Sequence, residues 1–317
     1  MPMERSLTEG EMILVADIGG TNTRVALGDR AGQLHNIRIF KNAEIDDLRT
    51  PLAAMIAAAP VVTDAVLAVA GPVESENISV TNYPWKISQT QLRSALGLRH
   101  LTLINDFLAA AYAVPALGAD KLLYLQEGGR QQRGNILVCG PGTGFGAAAL
   151  IDSEREPVGV ASEAGHIILG AADDREESLF NRLRADDAPV SVERILSGDG
   201  LVRLYRAMHG SLLRSEEIIT RSLTGDAKAN DTVLLFLRIF GRVSGDLALA
   251  YNAMSGVFLA GGVGRALARR YKTSSFLDSF RAHPPYSDRL ANVPVAVLIH
   301  EQPGLLGALQ FSLAWRR

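Results

Sequence analysis

Three glycine-rich turns each follow an apolar run: DIGGTNTR at 17–24, GPGTGFG at 140–146 and AGGVG at 260–264. Successive backbone N–H groups in such turns, together with nearby hydroxyls, can surround phosphate oxygens. The first turn offers Gly19, Gly20, Thr21, Asn22 and the hydroxyl of Thr23, and the second offers Thr143. The third, through Gly261 and Gly262, could bring backbone close to a flat ligand where a side chain would collide. A purely structural turn competes with the phosphate reading at each one, and the case for a nucleotide rests on all three together. None has the GxxxxGK[ST] lysine of a P-loop. GTGFG only imitates a dinucleotide fingerprint, because it runs into another apolar strand instead of a helix.

Asp106 is the sharpest candidate for catalysis. It follows the apolar segment LTLI and Asn105, at the C-terminal edge of an expected strand, where α/β folds keep their sites. A hydroxyl attacks a phosphoryl group well only if its proton is taken, and a carboxylate within hydrogen-bond reach can take it. The competing assignment is a cap for the helix FLAAAYAV. Glu163 and His166 flank Gly165 in ASEAGHIIL, so a turn can face both toward one ligand, and a carboxylate with a neutral imidazole suits ring hydroxyls. An ordinary turn histidine competes, as does half of a metal pair, although no second Glu-x-x-His and no cysteine ligands accompany it. Glu193, in SVERILSG, reads first as a favourable charge in the opening turn of a helix. Asp17 could hold Mg²⁺ or its waters near phosphates, or could stabilise its own turn. Trp85, in NYPWKIS, is read as packing.

Alternating elements must position these groups. Residues 12–17 form a strand, and VALGDRAGQLHNIRIF adds two more around a Gly/Asp turn. Residues 48–60 read as a helix with Pro51 near its start, 64–73 as a strand broken by Gly71 and Pro72, and 88–97 as a helix. A strand at 101–104 and the helix after Asp106, ended by Pro115 and Gly118, complete a mixed α/β series. NILVCGPGTGFGAAALI then repeats the strand–turn–strand pattern of 12–27, an internal echo. The charged segment 171–189 reads as an exposed helix with loops, and the chain from 191 as mainly helical, with a long stretch from about 227 to 255. VFLAGGVG leads into a helix RALARRY, whose Arg269, Arg270 and Lys272 read as its solvated end. VPVAVLIH is the last strand and PGLLGALQFSLA the closing helix.

Lys+Arg at 32 against Asp+Glu at 34, with basic residues dispersed, argue against nucleic acid. The single cysteine, Cys139, rules out an intrachain disulfide and a thiolate cluster, and its setting in ILVCG makes it a core thiol. The segment MPMERSLTEGEM lacks a signal-peptide apolar run, and Val257–Ala260 is far too short to span a bilayer. A soluble, cytoplasmic protein without a membrane partner is expected.

The segments LVADIGGTNTRVAL, AVAGPV, TNYPW, LINDFLAAAYAVPAL, GPGTGFGAA, SEAGHI, SVERILSGDGLVRLY, VFLAGGV and HEQPGLLGA, in this order, resemble the bacterial glucokinase family. This is the non-ROK branch of the hexokinase, actin and Hsp70 superfamily, and the cysteine-rich zinc motif of ROK proteins is absent. The resemblance implies a two-lobed α/β, actin-like ATPase (ribonuclease H-like) fold with a deep interdomain cleft. It divides the chain into a small lobe at 1–114, joined by the C-terminal helix 301–317, and a large lobe at 115–300. It implies ATP and glucose as substrates, glucose 6-phosphate and ADP as products, Mg²⁺ carried with ATP and not at a permanent site, and a homodimer. By the same resemblance Asp106 is the base, while Asn105, Glu163, His166 and Glu193 contact glucose. The first two glycine turns contact the ATP phosphates, and Gly261 and Gly262 line the adenosine side. SGDG stands where the family carries SGPG, so Asp199 replaces a rigid proline, loosening a turn without removing a proposed ligand. A kinase for mannose or an N-acetylated hexosamine, and a non-enzymatic sugar or nucleotide sensor, are the alternative functions.

Overall fold

The computed structural model describes residues 10–59, 61–71, 73, 75–79, 83, 85–129, 133–184 and 188–314. The chain forms two compact units. One runs to Leu117 and resumes at His300, and the other spans Gly118–Ile299.

The first unit begins with β1 (Glu11–Ile18), β2 (Asn22–Gly28) and β3 (Leu34–Lys41), followed by α1 (Arg49–Ala57) and β4 (Val61–Val69). A small hairpin of β5 (Asn77–Ser79) and β6 (Lys86–Ser88), then α2 (Gln89–Ala95), β7 (His100–Asn105) and α3 (Asp106–Ala113), complete this stretch. The main sheet has the order β3-β2-β1-β4-β7, with β1, β4 and β7 mutually parallel and β2 and β3 antiparallel. Both faces of its centre are covered, as parallel strands require. Leu14, Ala16 and Ile18 alternate onto a core with Leu52 and Met55 of α1. Ile13 and Val15 face the other way, onto Ala109 of α3 and onto Leu305, Ala308 and Leu309 near the C-terminus.

The second unit comprises β8 (Leu122–Gln126), β9 (Ile136–Pro141), β10 (Phe145–Ile151) and β11 (Val158–Ser162), then α4 (Asp174–Leu183), α5 (Val192–Ile195), α6 (Gly198–His209), α7 (Ser215–Leu223) and α8 (Ala227–Ala250). β12 (Gly256–Leu259), α9 (Gly262–Ala266), α10 (Phe276–Arg281), α11 (Ser287–Ala291) and β13 (Val295–Leu298) follow, before α12 (Pro303–Ala314) completes the first unit. The sheet order β11-β10-β9-β12-β13-β8 repeats that of the first unit, with β9, β12 and β13 parallel and β8 added antiparallel. The echo between 12–27 and 135–151 is therefore one supersecondary unit used twice.

Three expectations are corrected by packing. The segment after residue 171 is not simply an exposed helix. α4 buries Leu179, Phe180 and Leu183, and also Glu176, which is only 1% exposed. Glu176 survives burial because Arg238 (2.6 Å), Arg242 (2.8 Å) and the Ala172 N–H (2.9 Å) share its carboxylate. Residues 185–187 of that segment lie outside the described ones. Next, the helix after β12 starts within the glycines at Gly262 and stops at Ala266, so Arg269 and Arg270 occupy a following turn and Arg270 donates to Asn230. The long helix closes at Ala250, before Tyr251, rather than near 255.

Cys139 is fully buried on β9, 3.8 Å from the Ser244 hydroxyl. Burial pushes its thiol from the ordinary 9.0 up to about 12. The folded chain should give no reaction with a thiol-specific chromogenic reagent at pH 8, and the denatured chain one thiol per molecule. Because the folded-state value is raised, this group leaves stability unaffected below pH 9 and lowers it as pH rises from 9 toward 12. Rapid native labelling at pH 8 would contradict the burial.

Candidate active site

In the first unit the edges of three parallel strands supply the candidates. β7 ends at Asn105, and α3 starts at Asp106 without a linker. The cap is Asn105, not Asp106: Asn105 Oδ1 accepts from the N–H groups of Phe107 (2.9 Å) and Leu108 (3.1 Å). Its amide donates to the Gly71 carbonyl at 3.4 Å, after β4. Asp106 is the first helical residue and half-buried, with Oδ1 2.9 Å from the Phe107 N–H. A carboxylate at that position meets the positive end of the helix.

Asp17 and Arg24 face each other across β1 and β2, with Oδ2 3.2 Å from the guanidinium. Burial raises the Asp17 pKa, and Arg24 opposes that shift. Gly304, at the start of α12, lies so near that a Cβ there would be 2.7 Å from Asp17 Cγ. In the turn itself Gly19 N–H bonds to the Asn22 carbonyl at 3.1 Å, and the Thr21 side chain is exposed. Thr23 is no phosphate ligand. It is fully buried, and its hydroxyl donates to Asn42 Oδ1 at 2.9 Å. The alternation along β2 turns Thr23 inward and leaves Asn22 and Arg24 on the other side. Asn42, which no motif marked, also donates through Nδ2 to the Gly19 carbonyl at 2.7 Å. Trp85 packs against Tyr83 with ring centroids 4.2 Å apart. Thr81, Asn82 and Pro84 of the TNYPW segment and Pro72 of AVAGPV lie outside the described residues.

The second unit brings together Glu163, His166 and Glu193. A short 3-10 turn at Ala164–His166, closed by His166 N–H to the Glu163 carbonyl at 2.9 Å, leaves both side chains exposed with Nε2 and Oε2 3.8 Å apart. Glu193 comes from α5, whose N-cap Ser191 accepts from Arg194 N–H. The Glu193 carboxylate lies beside Gly144 and Gly165 and accepts the Phe145 N–H at 2.8 Å. It joins the Glu163–His166 turn to the second glycine turn, a contact between residues 48 apart that no local pattern reveals. Glu193→Ala should strand the largely buried Phe145 N–H and lower stability by about 1–3 kcal/mol, read as a denaturant midpoint shift. An unchanged midpoint would show that the bond contributes nothing.

Thr143 is exposed at the tip of the second turn, which Gly142 N–H closes onto the Gly144 carbonyl at 2.8 Å. Gly198 N–H, opening α6, donates to the Gly142 carbonyl at 2.9 Å. The third turn gives its two glycines different settings. Gly261, at φ +85°, must be glycine because a Cβ would strike the Pro141 carbonyl. Gly262 has open space where its side chain would be. Asp199 occupies the first turn of α6 behind the N-cap Ser197, where a carboxylate favours the helix.

Among the described residues no group of three or more His, Cys, Asp or Glu could hold a metal. No helix among them is long and apolar enough to cross a membrane.

Two α/β units of repeated topology, with a glycine turn between β1 and β2 in one and between β9 and β10 in the other, define the two-lobed ATPase fold shared by actin and the hexokinases. The glucokinase family profile matches residues 14–314. A glucokinase of Paramagnetospirillum magneticum is 37% identical over 310 residues, covering 94% of this chain and 96% of that one. One from Pectobacterium atrosepticum is 35% identical, covering 93% and 95%. The crystal structure of a glucokinase from an Antarctic psychrotroph matches with a TM-score of 0.84 at 34% identity, over 95% of this chain and 98% of that one. The chain belongs to the glucokinase family.

Proposed function

We propose that this protein is an ATP-dependent glucokinase in which Asp106 takes the proton of the sugar 6-hydroxyl as the γ-phosphoryl group is transferred to it. The supporting observation is the division of labour at the end of β7, where Asn105 caps α3 and leaves the adjacent Asp106 at the positive end of that helix. An ionised carboxylate there can accept a proton without a permanent metal, and the reaction leaves glucose 6-phosphate and ADP.

Asn105, Glu163, His166 and Glu193 bind the sugar in this reading. Asn105 holds its Oδ1 in the cap, gives one amide hydrogen to the Gly71 carbonyl and has the second for an acceptor, while the exposed Glu163 and His166 pair supplies both an acceptor and a ring nitrogen. Gly19, Gly20, Thr21, Asn22 and Thr143 meet the phosphates, and Gly262 with Gly261 meets the adenosine side. Asp17 fits Mg²⁺ arriving with ATP: it is one carboxylate, already partnered by Arg24, and magnesium takes few protein ligands beside phosphate oxygens and water. When bound, that ion supplies charge neutralisation on the phosphoryl oxygens. The reading further includes a cytoplasmic homodimer that engages neither nucleic acid nor membrane.

The test is ADP formation by purified protein with Mg·ATP across glucose, mannose, fructose and N-acetylglucosamine. Glucose should give the highest kcat/KM. Preference for another hexose would reassign the substrate, and nucleotide and glucose binding without turnover would favour a sensor.

A further inference from the structure

We infer that Asn42 is a positioning residue that sets the first glycine turn for the nucleotide phosphates, an inference that rests on the proposed role of that turn. Asn42 immediately follows β3, is 1% exposed, and makes five hydrogen bonds. Three converge on the turn. Its Nδ2 donates to the Gly19 carbonyl at 2.7 Å, its backbone N–H to the Thr21 carbonyl at 2.9 Å, and its Oδ1 accepts from Thr23 Oγ1 at 2.9 Å. The other two anchor Asn42 itself, because its carbonyl accepts from the Tyr83 hydroxyl at 2.6 Å and from the Ile45 N–H at 3.3 Å.

The chemistry of these bonds decides their effect. Two of the three engage carbonyl oxygens of the turn, at Gly19 and Thr21, and the third engages a side chain. None uses a backbone N–H of the turn, so Asn42 fixes the peptide planes while leaving amide donors for an anion. Only an amide side chain does this at both ends, donating to Gly19 O and accepting from Thr23. Aspartate would keep the Thr23 bond but set a carboxylate oxygen against the Gly19 carbonyl. Preorganised donors matter here because a turn that must be ordered on binding weakens affinity by the cost of ordering it.

The experiment measures MgADP binding by calorimetry on the full-length protein, then the KM values for ATP and glucose, at a temperature well below melting. Asn42→Ala and Asn42→Asp should each weaken MgADP about tenfold and raise the ATP KM to match, with the glucose KM moving less than about twofold. A merely structural role would shift the melting temperature and leave this split absent. Should both variants fail to fold, Tyr83→Phe decides, since it removes only the outer anchor. It should raise the ATP KM two- to threefold, again without moving glucose. MgADP binding equal to the parent in a folded Asn42 variant, or an unchanged ATP KM in Tyr83→Phe, would overturn the inference. Failure of the parent itself to bind MgADP would instead strike the proposed function.

Discussion

An Asp106→Asn protein is expected to fold, to bind glucose, and to lose about 10²–10⁴ in kcat, the usual contribution of a positioned general base. The substitution preserves shape. Because the helix cap belongs to Asn105, whose Oδ1 accepts from Phe107 and Leu108, α3 keeps its start when Asp106 changes. The bond from the Phe107 N–H to Asp106 Oδ1 can be kept by an amide oxygen, so the stability loss should stay small. What an amide cannot do is accept a proton from a hydroxyl. The measurement is steady-state kcat beside a glucose titration by calorimetry and a melting curve. A folded, glucose-binding Asp106→Asn protein with near-parental kcat would remove Asp106 from the chemistry. An Asn105→Ala protein should behave differently, destabilised by loss of the cap by roughly 0.5–2 kcal/mol.

Gly307→Ala should be among the most destabilising single-methyl additions in the chain. Gly307 lies in α12, and a Cβ there would fall on the backbone carbonyl of Ala109 in α3. Two effects of opposite sign compete. Alanine favours a helix over glycine by about 1 kcal/mol, whereas overpacking costs about 1–3 kcal/mol and more where backbone must move. The obstructing atom is main chain within a helix, so no side-chain rotation relieves it and the clash wins. α12 and α3 share a core in which Ala109, Leu305, Ala308 and Leu309 are fully buried, leaving no slack to absorb a shift. Net destabilisation of about 2 kcal/mol or more is expected, with melting lowered on the order of 5 °C. Since α3 carries Asp106 at its first position, kcat should fall along with stability. Unchanged melting and unchanged kcat would show that the helices separate without cost.

The local elements were legible because their signals are local. The run MILVAD and the repeat NILVCGPGTGFGAAALI read as strands around glycine turns, and both became the leading hairpins of matching sheets. FLAAAYAV read as a helix and is α3, and PGLLGALQFSLA is α12 with its proline at the first position. The ordered motifs also sufficed to place the chain in its family.

Other features arose only from tertiary structure. Thr23 and Thr21 both sit in DIGGTNTR, yet Thr23 lies on β2 with its hydroxyl buried against Asn42, while Thr21 lies in the turn before that strand and is exposed. Gly261 is one glycine of a turn in the sequence, and only the fold shows that the Pro141 carbonyl packs where its side chain would be. Glu176, one charge among many between residues 171 and 189, is buried because α8 brings Arg238 and Arg242 to it. Glu193 resembled any first-turn acid until folding set it against Phe145 and Gly165. Residue type and spacing determine strand, turn, helix and family, because those depend on neighbours along the chain. Which polar group is spent holding the fold and which is left for a ligand depends on partners 19 to 62 residues away, and only tertiary structure supplies them.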